Sequence, residues 1–177
     1  MRMIKVIAIV TLPLVAFAMS VGLSYAQVSG QAFQGFRGGS KAPIQIDADS
    51  LEVEDGNAKA VFKGNVRVRQ GKSLITTDKL VVHYVKGSSG GQNDIEKLEL
   101  FGNMVATSEK NTASADQGVY FVKTEDIVLT GKVVVSQGPN IAKGCKLLAN
   151  LKTNVARFTK VPGCRLSTVF SPGSTGN

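Results

Sequence analysis

The sequence predicts an all-β protein assembled from repeated strand units, and three observations carry that prediction. Apolar and polar residues alternate with period two through almost everything between Ala42 and Ser171. No window of eleven residues in that span shows a helical stripe. A unit of aspartate, strand, turn, strand, glycine, strand recurs along the chain, beginning at Asp49, Asp78, Asp116 and Cys145.

The first 26 residues stand apart from this pattern. MRMIK is a short basic start, VIAIVTLPLVAFAM is an apolar run interrupted by Thr11 and Pro13, and VGLSYA ends in small residues with Ser24 and Ala26 at the positions a signal peptidase prefers. The layout is that of a secretory signal peptide cleaved between Ala26 and Gln27. The competing reading is an uncleaved membrane anchor, but the apolar core is shorter than the roughly 20 residues a spanning helix needs. No later segment is long and apolar enough to span. The expectation is a soluble, exported chain of one domain. It comprises a Gly/Ser/Gln-rich leader over 27–42, a folded part over 43–168 and a polar tail over 169–177.

The first unit, DSLEVEDGNAKAVFKGNVRV, is the cleanest. Leu51 and Val53 alternate with Glu52 and Glu54, EDGN makes the turn, and Ala60 and Phe62 continue the apolar face against Lys59 and Lys63. Past Gly64, Val66 and Val68 are apolar while Arg67 and Arg69 point outward. Glycine inside a strand pattern marks a bulge or sharp bend. Gly102 and Gly131 hold the matching positions in the next units, so each bend carries the chain from one sheet to the facing one. From Asp49 to Gly64 is 15 residues and from Asp116 to Gly131 is again 15, but Asp78 to Gly102 is 24. The nine extra residues are KGSSGGQND, 86–94, a loop insertion that costs little closure entropy. They lack the lysine and following helix of a phosphate-binding loop.

The same column assignment extends the inward stripe through Leu80, Val82 and Tyr84, then Leu98, Leu100 and Met104. It continues with Tyr120, Val122, Ile127, Leu129, Val133 and Val135, and ends with Leu147, Leu151 and Phe158. In the fourth unit Pro162 falls where Val66 stands in the first, and proline cannot donate to a sheet ladder. The repeat fades there and leaves a terminal strand near an open edge.

Without Arg2 and Lys5 the exported chain has 19 basic and 13 acidic residues, a net charge of +6. That balance suits an anionic partner, and export argues against nucleic acid. Cys145 and Cys164 enter an oxidising compartment, so one disulfide is expected. A metal site would need more ligands, and the only histidine, His83, lies far off in sequence on an outward, exposed phase. Neither metal nor cofactor is expected. Acid–base catalysis wants a histidine or a carboxylate pair in a cleft. The recurring Asp49, Asp78 and Asp116 suit turn chemistry better, no nucleophile or zinc motif is present, and an enzyme is not expected. From the residues alone the inward stripe reads equally as a packed core or as the lining of a trough. Likewise Lys59, Lys63, Arg67, Arg69, Lys79 and Lys132 read equally as a solvated face or as contacts for an anionic head group.

The segments IQIDADSLEVED, AVFKGNVRVRQG, ITTDKLVVHY, LELFGNMVAT, ASADQGVYF and IVLTGKVVVSQG together resemble the OstA-like family. Its exported single-domain members are LptA-type lipopolysaccharide-transport proteins of the Gram-negative periplasm. The resemblance covers roughly residues 43–160 and rests on the series rather than on any one copy. It implies an open, twisted antiparallel β-jelly roll whose apolar groove accepts the acyl chains of lipopolysaccharide. It further implies edge-to-edge pairing with an LptC-type inner-membrane partner and an LptD-type outer-membrane partner, with no catalytic residues. The stacked edges also allow a head-to-tail homo-oligomer. The cysteine pair lies outside the matching motifs. Two other readings stay open, a membrane-anchored LptC-type component and a ligand-free structural or adhesive repeat.

Overall fold

The computed structural model describes residues 42–85 and 94–171. The expected signal peptide, almost all of the leader, residues 86–93 of the insertion expected at 86–94, and residues 172–177 lie outside the described residues. Ten strands form one antiparallel sheet. They are β1 (Ile44–Asp47), β2 (Ser50–Glu54), β3 (Lys59–Gln70), β4 (Ser73–Val85), β5 (Asp94–Ser108), β6 (Asn111–Phe121), β7 (Asp126–Gln137), β8 (Asn140–Asn150), β9 (Val155–Phe158) and β10 (Ser167–Val169). Among the described residues there is no α-helix, only a 3-10 turn at Asp55–Asn57, where the sequence placed EDGN.

The six strands β3 to β8 are long, 11 to 15 residues each, and each neighbouring pair shifts register partway along. These mid-strand shifts fall at Lys63/Val66, Thr76/Lys79, Phe101/Met104, Ser114/Gln117 and Thr130/Val133, and β4 and β5 shift once more near their ends, at His83/Tyr84. Every long strand thus serves two half-sheets, joined along one ridge of bends. One half carries β2 and β9 at its ends, and the other carries β1 and β10. Hairpin turns at 55–58, 122–125 and 151–154 line the free margin of the first half; those at 71–72, 109–110 and 138–139 line the margin of the second. β1 and β10 do not pair, so the sheet never closes.

The aspartates and glycines read as separate features in the sequence form one device. Gly64 and Gly102 have φ of +77° and Gly131 of +95°, conformations that penalise any side chain. Asp49, Asp78 and Asp116 respectively press a carboxylate oxygen against these three glycines, where an added Cβ would stand only 2.3 Å away. The carboxylates of Asp49 and Asp78 accept hydrogen bonds from Asn65 Nδ2 at 2.8 Å and Asn103 Nδ2 at 2.9 Å, and Asp116 accepts one from the Lys132 backbone N–H at 3.1 Å. Thr77, buried at the ridge, donates to the carbonyls of Phe101 and Gly102. Each bend is therefore clasped by a carboxylate from earlier in the chain, Asp49 from the link between β1 and β2, and Asp78 and Asp116 from the preceding strands β4 and β6.

The inner faces of the two halves meet. Leu80, Leu129, Val66 and Val133 have no exposed surface, and an added Cβ at Gly118 on one half would touch Met104 Sδ, from the other, at 3.3 Å. Small residues fill much of the second half, namely Ala106, Ala113, Ala115 and Ala142, all buried. At the chain's end the repeat fades as expected. β9 stops at Phe158, Thr159–Leu166 is irregular, and β10 then rejoins β8 on the second half. The paired strand runs to Val169, one residue past the expected boundary at 168, and the Ser171 N–H donates to Asn140 Oδ1.

Candidate functional site

Most of the inward stripe converges on one apolar interior. Val66, Val68, Leu80, Val82, Leu98, Leu100, Met104, Tyr120, Ile127, Leu129, Val133, Val135, Leu147 and Leu151 are buried together, with Phe62, Val122 and Phe158 packed against them. Two expected members differ. Leu51 and Val53 pair with Phe62 and Ala60, so they share the inward face, yet they remain 55% and 59% exposed. The cause is topological: β2 is the last strand of its half, and no further strand or facing residue covers it. The interior's apolar face therefore runs out into solvent at the N-terminal end. Tyr84, also assigned to the stripe, is half-buried and stands outside the central cluster. Ile75, Ala106, Ala113, Ala115 and Ala149 belong to the interior but lie outside the predicted stripe. Their signal was the same period of two; the four alanines are too small to stand out, whereas Ile75 carries it as plainly as its neighbours in the stripe.

In this state the interior is filled. The gap between the halves, lined by Ile75, Leu98, Leu100, Met104, Gly118, Tyr120, Ile127 and Leu129, has a volume of about 20 Å³, water-sized. The bends join the halves along one ridge only, so parting at the free margins breaks no strand pairing.

The six cations singled out from the sequence lie off this interior. Lys63 pairs with Glu52 at 2.9 Å, Arg69 pairs with Asp47, and Lys79 sits 5.5 Å over the Phe101 ring. Lys59 stands beside His83 in register, Arg67 beside Asp47 and Thr76, and Lys132 at the third bend. All but Lys132 occupy the outward phase of their strands. The margins of the free mouth instead carry Lys72, Lys110, Lys123 and Lys152, mixed with Glu109 and Glu125. Alternation cannot reveal these, because turns have no period.

His83 departs from its expected exposure. Its phase is outward, but its side chain is only 17% exposed, with Nε2 2.6 Å from Glu99 Oε2. Lys97 Nζ donates to the other Glu99 oxygen at 2.8 Å. Burial pulls the Glu99 carboxyl upward, but hydrogen bonds from Lys97 and His83 and their positive charge outweigh it, and its pKa lies below the ordinary value. A depressed carboxyl pKa contributes stability above its unfolded value that is lost as pH falls through the folded one. Urea midpoints measured from pH 6 to pH 3 should therefore fall more steeply for the wild type than for Glu99→Gln. Parallel profiles would show the triad to be energetically neutral. The outer face also holds apolar residues. Val61 and Val81 pair and are buried there, and Phe121, Val128, Leu148, Val155 and Arg157 line an open depression of about 530 Å³.

Cys145 and Cys164 form a disulfide, with Cα atoms 6.2 Å apart. The bond closes a loop with a sequence separation of 19, which corresponds to about 3 kcal/mol in the chain-entropy picture. It ties β8 to the irregular segment before β10. Among the described residues, no group of three or more His, Cys, Asp or Glu side chains converges to hold a metal ion.

An unclosed antiparallel roll built of clasped repeats, with an apolar interior reaching solvent at one end, defines a class of β-jelly roll with two strand edges to offer. The chain belongs to the LptA/(LptD N-terminal domain) LPS transport protein family, whose model matches residues 45–155. It is 33% identical over 142 residues to an uncharacterized protein of Rhizobium meliloti, covering 78% of this chain and 76% of that one. It is 28% identical over 137 residues to the lipopolysaccharide export system protein LptA of Escherichia coli K12, covering 76% and 74%. The crystal structure of LptH, the LptA-homologous periplasmic component of the lipopolysaccharide transport device of Pseudomonas aeruginosa, superposes with a TM-score of 0.63 at 23% identity. That match covers 76% of this chain and 99% of the other, and shows the shared fold.

Proposed function

We propose that this chain is a periplasmic lipopolysaccharide-binding bridge protein, exported with cleavage after Ala26, that carries lipid A acyl chains between its two half-sheets. The observation that carries the reading is the continuous inward face, fully buried at Leu80 and Leu129 yet open to solvent at Leu51 and Val53. A closed core has no reason to leave its own face uncovered at an edge. Family membership supplies the ligand class. The halves part at their free margins to admit acyl chains, and the phosphorylated head group stays outside. Lys110, Lys123 and Lys152 stand at that mouth with Lys72, which pairs with Glu109 at 3.1 Å; Lys63 and Arg69, on the outward face, hold carboxylates too. The edges at β1/β2 and β9/β10 pair with LptC-type and LptD-type partners, or with further copies, by strand addition. Transport, not catalysis, is the activity proposed.

Photo-crosslinking in cells tests this. A crosslinker at Phe62 or Leu100 is expected to capture lipopolysaccharide, and one at outward Arg67 is not. A crosslinker at Lys123 should label the head group more strongly than one at Lys79. Absence of lipid at both interior positions, in a folded protein, would overturn the carrier reading in favour of a ligand-free repeat. The purified protein should begin at Gln27; an intact Met1 segment would point to an anchored, LptC-type component.

A further inference from the structure

We propose that the Cys145–Cys164 disulfide is a redox-operated latch that hides a strand-acceptor edge on β8 beneath β10. The starting point is the column in which Cys145 stands. Asp78 lies opposite the two-residue bulge Gly64–Asn65, and Asp116 opposite Gly102–Asn103. Cys145 lies in the same way opposite Gly131–Lys132. Each aspartate reaches forward to clasp the bend of the strand that follows. The strand after Cys145 has no such bend. It breaks after Phe158, wanders through Thr159–Leu166 and resumes as β10, and Cys145 reaches forward to Cys164 inside that break. The disulfide thus occupies the place of the last clasp.

Little else holds β10. It pairs with β8 through only three residues, Ser167 to Lys143, Thr168 to Ala142 and Val169 to Ile141, and all three are exposed. Thr159, at the start of the break, has the one buried side-chain oxygen among the described residues with no hydrogen-bond partner, a sign of imperfect packing there. Short edge strands blunt a sheet against uncontrolled pairing. With the bond intact, this end offers four residues of β9 and three of β10, separated by eight residues outside any strand, of which Thr159 still donates its N–H to the Lys146 carbonyl. With it open, the half-strand Asn140–Gly144 becomes a free edge on the second half. Both sulfurs belong to half-exposed residues, within reach of a reductant. A dithiol attacks the S–S bond and leaves as a disulfide, and its two electrons and two protons convert Cys145 and Cys164 to thiols. The occupant this edge fits is the N-terminal strand pair Ile44–Glu54 of a second copy, which ends its own sheet with Ile44, Leu51 and Val53 uncovered. That part rests on the edge-addition reading above.

The test follows amide hydrogen exchange and peptide binding in the mature chain, before and after treatment with a dithiol. Exchange of the β8 amides facing β10, within Ile141–Lys143, should accelerate on the order of a hundredfold on reduction, while β5 and β6 stay protected. A fluorescent peptide of residues 43–54 should bind the reduced protein at least about tenfold more tightly. A variant ending at Leu166 keeps the disulfide but lacks β10, and should bind the peptide without reductant. Unchanged exchange on reduction would overturn the latch, whatever the peptide does. Accelerated exchange with no gain in peptide binding, in the reduced and truncated proteins alike, would instead overturn the edge-addition reading and the acceptor assigned to β8.

Discussion

Gly102→Ala is expected to destabilise the roll by about 2–4 kcal/mol, a large part of a typical domain's stability. Two effects add at this position. A φ of +77° strains any residue with a Cβ, by about 1–2 kcal/mol. The new methyl would also stand 2.3 Å from Asp78 Oδ2 and 3.1 Å from Asp78 Cβ, so the clasp must open and Asn103 loses its acceptor. Gly138→Ala separates the two. Gly138 has a φ of +54° but nothing within 4 Å of an added Cβ, so it should show the backbone strain alone. Adding Asp78→Gly to Gly102→Ala removes the collision and should recover part of the loss. Urea denaturation of the wild type, Asp78→Gly, Gly102→Ala and the double variant measures the cycle, with Gly138→Ala beside it. Equal losses for Gly102→Ala and Gly138→Ala would mean that the carboxylate moves aside freely and clasps nothing.

The clasp also shows how far the sequence could be read. Both halves of it were visible: an aspartate at the start of the first three units and a glycine 15 residues on, or 24 with the insertion. Their partnership was not, because Asp78 and Gly102 lie on different strands and meet only once both are bent. Alternation fixed the phase of nearly every strand residue, including Leu51, Val53 and His83. Phase does not give burial. Whether an inward residue is covered depends on how many strands lie beyond it, and whether an outward one is exposed depends on its neighbours. Val53 is inward and open, whereas Val81 is outward and closed, and His83 is shielded beside Glu99. The disulfide was expected from compartment chemistry. Its place in the aspartate column emerges only from the register of β8 against β7. Charge was the least legible feature, since long side chains on the outward face choose partners across the sheet, as Lys63 does with Glu52 and Arg69 with Asp47.

Leu129→Ala decides whether the interior is a core or a conduit. Leu129 has no exposed surface, pairs with Gly118 and Leu147, and borders the small gap between the halves. Truncating a buried leucine destabilises by about 3–5 kcal/mol, through lost burial and the cavity left behind. In the lipid-free protein that full loss is expected, read from urea unfolding. In protein saturated with lipid A the expectation differs. An acyl chain lying between the halves would occupy the new space, so the variant should bind lipid more tightly than the wild type. Ligand binding stabilises the folded state in proportion to its affinity, so the lipid-bound variant should recover part of the deficit. Val61→Ala supplies the comparison, since Val61 is also buried but faces outward, and its deficit should be the same with and without lipid. If Leu129→Ala lost the same amount in both states, no acyl chain would reach the centre of the roll. Lipid would then be confined to the open N-terminal face around Leu51 and Val53.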